Sequence, residues 1–206
     1  ILISSKGFQG PGTLSQGLTA EDVEAIEKIS GFEYVLSGLF RNEEVMYRKE
    51  TGFTMIGGLP AERYEYFFRD SGIELQQGRM MQEGEKHVAI IGSRVASDMF
   101  SKDIGVGNKI TINNVEFKIV GIVEEIGNAH DDNQISIPLD AAREIFNEPE
   151  KVDTIIAQVK SSSYIPALQE KIKKELERKR GDTNFQVLTA TQILEQINQV
   201  LGVMQI

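Results

Sequence analysis

Residues 109–123 constrain the fold most. Lys109 to Asn113 alternates apolar and polar side chains, Asn113-Asn114 follows, and Val115 to Val123 alternates again. Asparagine tolerates the positive φ of a tight turn, so the pattern predicts a β-hairpin with one face against a core. Other segments have helical spacing instead: Val23, Ile26 and Ile29; Tyr64, Phe67 and Phe68; Val95, Ala96, Met99 and Phe100; Ile165, Leu168, Ile172 and Leu176. Period two and period 3.6 in one chain predict an α+β fold.

The order of elements sharpens this. Ile1 to Ser5 reads as a strand and Gly7 to Gly17 as a loop. Thr19, with Asp22 three residues on, opens a helix that Gly31 ends. Glu33 to Phe40 and Glu43 to Lys49 read as two strands about an Arg41-Asn42 turn, with Phe53 to Ile56 a third and Gly57-Gly58-Leu59-Pro60 a break. Val88 to Ile91 is an apolar run suited to a buried strand. Gly127 to Asn133 is a polar loop, Ile135 to Pro138 a strand, and Pro149 stops the helix bearing Leu139, Ala142 and Phe146. Thr154 to Val159 and Phe185 to Leu188 are strands flanking a long helix closed by Gly181. A last helix carries Ile193, Leu194, Ile197, Val200, Leu201 and Met204 to the end. We expect two lobes: residues 1–58 and 150–206 as strand–helix–strand units from both chain ends, and residues 59–149 as an inserted β-rich lobe. The chain starts on Ile1-Leu2-Ile3 and stops inside a helical pattern, so both ends read as cuts within a longer protein.

Composition excludes several chemistries. The chain has 206 residues and no cysteine, which rules out thiolate catalysis, a cysteine-based zinc site and disulfides. A net charge of −9 argues against a nucleic-acid partner. No segment reaches the ~18 consecutive apolar residues of a membrane span. His87 and His130 are the two histidines. His130-Asp131-Asp132 reads as a solvated loop rather than a metal site, because adjacent residues rarely converge on one ion. His87 reads as a strand-edge residue. Gly92-Ser93-Arg94 lacks the second glycine of a nucleophile elbow. Gly105-Val106-Gly107-Asn108-Lys109 fails the phosphate-loop pattern, since a strand follows it where a helix is required. Tyr64, Tyr66, Phe67 and Phe68, and the Met80-Met81 pair, read as packing. No catalytic, cofactor-binding or metal-ligating residue is assigned.

Several motifs in order resemble one family. Leu75-Gln76-Gln77-Gly78-Arg79 is similar to a Leu-x-x-Gly-Arg turn. Val88-Ala89-Ile90-Ile91-Gly92, then Val95-Ala96 and Phe100, match an apolar strand, glycine and helix. Gly107-Asn108-Lys109-Ile110-Thr111-Ile112 and Phe117-Lys118-Ile119-Val120-Gly121-Ile122 match a following hairpin, with Asn108 standing where the family usually has its lysine. Ile135-Ser136-Ile137-Pro138-Leu139 and Leu18-Thr19-Ala20-Glu21-Asp22-Val23 match two helix entries. Together they resemble the MacB-like periplasmic core domain of ABC-transporter permeases of the macrolide-exporter, FtsX-like class.

The resemblance implies a domain between the first and second of four transmembrane helices, on the extracytoplasmic side of the cell membrane. It implies a porter-like lobe from the chain ends and an inserted sabre-like lobe. It further implies a second permease subunit and a cytoplasmic ABC ATPase as partners, with an extracytoplasmic adaptor or substrate as a further one. Movement driven by ATP would be passed outward, the role called mechanotransmission. The domain itself would be no enzyme and would need no cofactor. The rival readings are a free-standing extracellular binding module and a hydrolase whose His87 or His130 meets an acid and a nucleophile in the fold.

Overall fold

The computed structural model describes residues 1–6 and 17–203. The expected Gly7–Gly17 loop, Gly17 apart, lies outside the described residues, as do the side chains of Val200, Leu201 and Met204. The strands are β1 (Leu2–Ser5), β2 (Leu18–Thr19), β3 (Phe32–Tyr47), β4 (Glu50–Leu59), β5 (Leu75–Gly78), β6 (Val88–Ile91), β7 (Lys109–Ile112), β8 (Val115–Val123), β9 (Ile135–Pro138), β10 (Lys151–Val152), β11 (Thr154–Val159) and β12 (Phe185–Leu188). The helices are α1 (Ala20–Glu27), α2 (Ala61–Ser71), α3 (Ser93–Ser97), α4 (Ala129–Asp132), α5 (Leu139–Phe146), α6 (Ile165–Arg180) and α7 (Ala190–Val203). The α+β mixture is as the periodicities require.

The chain divides into two compact units. One holds the described residues through Ser37 together with those from Val152 on; the other holds Gly38–Lys151. In the terminal unit β1 lies between β11 and β12, antiparallel to both. The first residues of β3 follow beside β11. Ile3, Ile155, Ala157, Phe185 and Val187 from the strands bury against Ile26 of α1 and Ile172 and Leu176 of α6. Their alternation puts one face of the sheet under the helices, and that burial drives the packing. Arg180 at the end of α6 reaches Asp22 in the first turn of α1 at 2.6 Å, with side chains 9% and 2% exposed. Asp22 also accepts the Thr19 amide at 2.9 Å, so the expected capping residue also anchors the neighbouring helix.

In the middle unit the order runs β3, β4, β9, β6, β8, β5, with β9 parallel to β4 and β6 parallel to β8. β7 pairs with β8 and, at Val45–Met46, with β3. The predicted hairpin forms, with Asn113 and Asn114 at φ 46° and 64°. Ile110, Ile112, Phe117, Ile119 and Ile122 point to a core shared with Leu39, Ile56, Ile91, Ile135 and Ala142.

Four expectations change. The two strands about Arg41-Asn42 are one 16-residue strand, β3, because Arg41 and Asn42 pair with Ile56 and Met55 of β4. The turn falls instead at Arg48, φ 59°. Gly57-Gly58 is no break but the paired end of β4. A Cβ on Gly58 would lie 2.3 Å from Cβ of Ala142 in α5, so glycine here admits a helix. The crossings between units therefore fall at Ser37/Gly38 and Lys151/Val152, rather than at residues 58/59 and 149/150, and residues 38–58 join the middle unit. Finally, α3 stops at Ser97, short of Met99 and Phe100, and the 127–133 loop contains the short α4.

Candidate functional site

The terminal unit places β1 beside β12, the strand that leads into α7. Leu2 of β1 pairs with Leu188 of β12, and α7 begins two residues later. Thr189 and Gln192 close a reciprocal cap on α7: the Thr189 amide donates to Gln192 Oε1 at 3.0 Å, and the Gln192 amide to Thr189 Oγ1 at 3.2 Å. The Thr-x-x-Gln pattern was readable in the sequence but passed over. Beyond its first turn α7 shows apolar side chains to solvent. Ile193 is half-buried, while Leu194 is 61% and Ile197 49% exposed. The helical spacing of the stripe is as the sequence predicts, but Leu194 and Ile197 on it are exposed. Among the described residues no helix is long and apolar enough to cross a membrane.

The middle unit is built around fixed loops. Asp132 of α4, 2% exposed, accepts the amides of Ile126 at 2.8 Å and Gly127 at 3.0 Å and lies 3.3 Å from Ser93 Oγ. It therefore ties the 124–132 segment to the start of α3. Nothing in the sequence marked Asp132 above its acidic neighbours, since the contact spans 39 residues. Arg79 clasps Glu85 through both guanidinium nitrogens at 2.8 and 2.7 Å, and this hydrogen bonding holds the Glu85 carboxyl below its ordinary pKa. Gly78, φ 86°, precedes it; a Cβ there would meet the Val120 carbonyl at 2.1 Å.

These contacts decide the candidate chemistries. The amides of Gly105 and Gly107 donate to Asn108 Oδ1 and the Ile119 carbonyl, at 3.0 and 2.8 Å, so they are committed internally and cradle no phosphate. Tyr47 also donates to Asn108 Oδ1 at 2.9 Å, which fixes the loop. His87 is exposed and stands edge-on to Phe117, ring centres 5.9 Å apart, as a strand-edge residue would. His130 is exposed. The shallow hollow lined by Ser93, Arg94, Ser97, Asp98, Glu125, Gly127, Ala129 and Asp132 contains no histidine. Ser93 meets Asp132 directly there, whereas a triad needs an imidazole between them. Among the described residues no three His, Asp or Glu side chains gather for a metal. Tyr64 and Phe68 are buried and Tyr66 is exposed; burial raises the Tyr64 phenol well above its usual pKa while Ser136 hydrogen-bonds it. Met81 is core, at 4% exposure.

The loops of the middle unit are thus held by internal hydrogen bonds, and among the described residues neither histidine meets Ser93 and Asp132 in this hollow. The model of the MacB-like periplasmic core domain matches residues 1–175, and the chain belongs to that family. An ABC transporter permease of Methanocaldococcus jannaschii, MJ1507, itself uncharacterized, is 32% identical over 188 residues, 91% of this chain and 47% of that protein. The macrolide export ATP-binding/permease protein MacB of Bdellovibrio bacteriovorus is 29% identical over 171 residues, 79% of this chain and 26% of that protein. The chain thus spans about half the length, or less, of these relatives. The fold is similar to the periplasmic region of MacB from Actinobacillus actinomycetemcomitans, TM-score 0.79 at 14% identity, covering 96% of this chain and 91% of that one. It is also similar to the extracellular domain of YknZ from Gram-positive bacteria, TM-score 0.74 at 15% identity, covering 92% and 99%. The chain is accordingly an extracytoplasmic domain of a MacB-like ABC transporter permease.

Proposed function

We propose that this domain couples cytoplasmic ATP hydrolysis to substrate export or extraction outside the membrane. In this reading the complete permease is a dimer served by a cytoplasmic ABC ATPase. The domain sits between the first two of four transmembrane helices. The terminal unit is its porter-like lobe and the middle unit its sabre-like lobe. An extracytoplasmic adaptor or the substrate would be the further partner.

One observation carries the reading: the pairing of Leu2 with Leu188, with α7 departing there and Leu194 and Ile197 bare. A domain hung from two adjacent membrane helices must receive and return the chain at one place. A helix that leaves with an apolar stripe can then transmit their movement to the sheet, because a capped helix and a packed sheet each move as a body. The macrolide-export name of the MacB relatives supports export over signalling.

The test uses the absence of cysteine from residues 1–206, with any cysteine elsewhere in the permease replaced by serine. Tyr164→Cys, at a position 52% exposed, is placed in the complete permease and treated with a membrane-impermeant maleimide on intact cells. Labelling before lysis is expected. Labelling only after lysis would put the domain on the wrong side and end the proposal.

A further inference from the structure

The apolar stripe of α7 means little mechanically unless the helix is gripped where it leaves. Its own cap does not do this, since Thr189 and Gln192 both belong to the departing segment. The grip comes from Gln169. Its Nε2 donates to Gln192 Oε1 at 2.8 Å and to the Val187 carbonyl of β12 at 2.8 Å. Both protons of the amide are thus used, one on the helix and one on the strand before it. Gln192 Oε1 is in turn shared by Gln169 Nε2 and the Thr189 amide, which fills its two lone pairs. Gln169 itself sits on a fixed base: its neighbour Leu168 is 3% exposed, and Ile172 one turn on is fully buried. We infer that Gln169 is the positioning residue that fixes α7 to the terminal unit, so that movement of α7 becomes movement of α6 and β12 instead of bending at Leu188–Thr189. This rests on the coupling function proposed above, and it adds the joint through which coupling passes.

The chemistry gives an asymmetric test. Gln169→Glu keeps size but removes both donors and turns a carboxylate toward the Val187 carbonyl and Gln192 Oε1. Gln192→Glu places the same charge one contact away yet keeps every acceptor, and glutamate serves a capping box as well as glutamine does. A role that is merely structural or electrostatic predicts similar effects from the two. Gripping by Gln169 predicts opposite ones. Hydrogen exchange of the 206-residue chain reads the joint directly. Q169E should speed exchange of amides 192–196 by about tenfold, the effect of one to two lost hydrogen bonds, and leave β1 and β11 unchanged. Q192E should stay within about twofold of the parent chain. Equal acceleration in both variants, or none in Q169E, overturns the inference.

A second arm separates the joint from the function. In the complete permease with its ATPase, ATP should alter exchange in β1 and β11, and Q169E should abolish that response while hydrolysis continues. A response that survives in Q169E overturns the joint's part in coupling. Failure of ATP to alter these strands in the parent permease overturns the coupling reading itself, and the exchange data on the isolated chain still decide whether Gln169 holds α7.

Discussion

At the scale of single residues, the informative positions are those that allow close approach or satisfy buried polar groups. Asp132→Ala would strand the Ile126 and Gly127 amides together with Ser93 Oγ. Unfolding by denaturant should show a loss of about 1–2 kcal/mol, since the three donors sit on partly or fully exposed residues where water replaces part of what the carboxylate supplied. Asp132→Asn should fall between that variant and the parent, because one oxygen still accepts. Gly58→Ala brings a methyl to within 2.3 Å of Ala142, so α5 must move; a loss of about 1–3 kcal/mol is expected in the same experiment. Glu85 supplies a pH dependence. Its folded pKa lies below the unfolded one, so its contribution is complete above the ordinary carboxylate value of ~4.3 and disappears as pH falls through the lowered folded value. Melting curves of the parent and Glu85→Gln should therefore differ at neutral pH and merge in acid.

Elements show what the sequence could and could not disclose. The hairpin was legible because β7 and the first half of β8 alternate and the turn demands positive φ, which only a few residues accept. Asn114→Val should cost about 1–2 kcal/mol, while Asn114→Gly should be neutral or stabilising. β3 was not legible. Its polar Arg41-Asn42 pair looks like a turn, yet Asn42 faces solvent while Arg41, 13% exposed, pairs with Glu148, and only the pairing with Met55 and Ile56 shows that the strand continues. Gly57-Gly58 misled for a related reason: glycine for close packing and glycine for a turn are identical in sequence. α7 is the helix that its spacing predicts, but where its burial ends is a tertiary fact. With Ile197 exposed, amides of α7 beyond Leu194 should exchange quickly, and protection there equal to that of α6 would contradict a helix that leaves the unit.

For the whole molecule, the family was readable from the order of weak motifs, and the structure explains several of them. The glycine of Leu75–Arg79 admits the backbone of β8, its arginine staples the next loop, and the Gly105–Lys109 stretch is a braced turn instead of a ligand cradle. The candidate mechanical site was less legible, since Leu2 and Leu188 meet only after the sheet forms. The central claim is that hydrolysis on one side of a membrane moves this domain on the other. The direct test is a spin label at Tyr164→Cys in each copy of the proposed permease dimer, with cysteines outside residues 1–206 replaced by serine and the distance between copies measured by double electron–electron resonance. Distances should differ between the nucleotide-free and the vanadate-trapped states. Identical distributions in a permease whose ATPase is active would contradict the account.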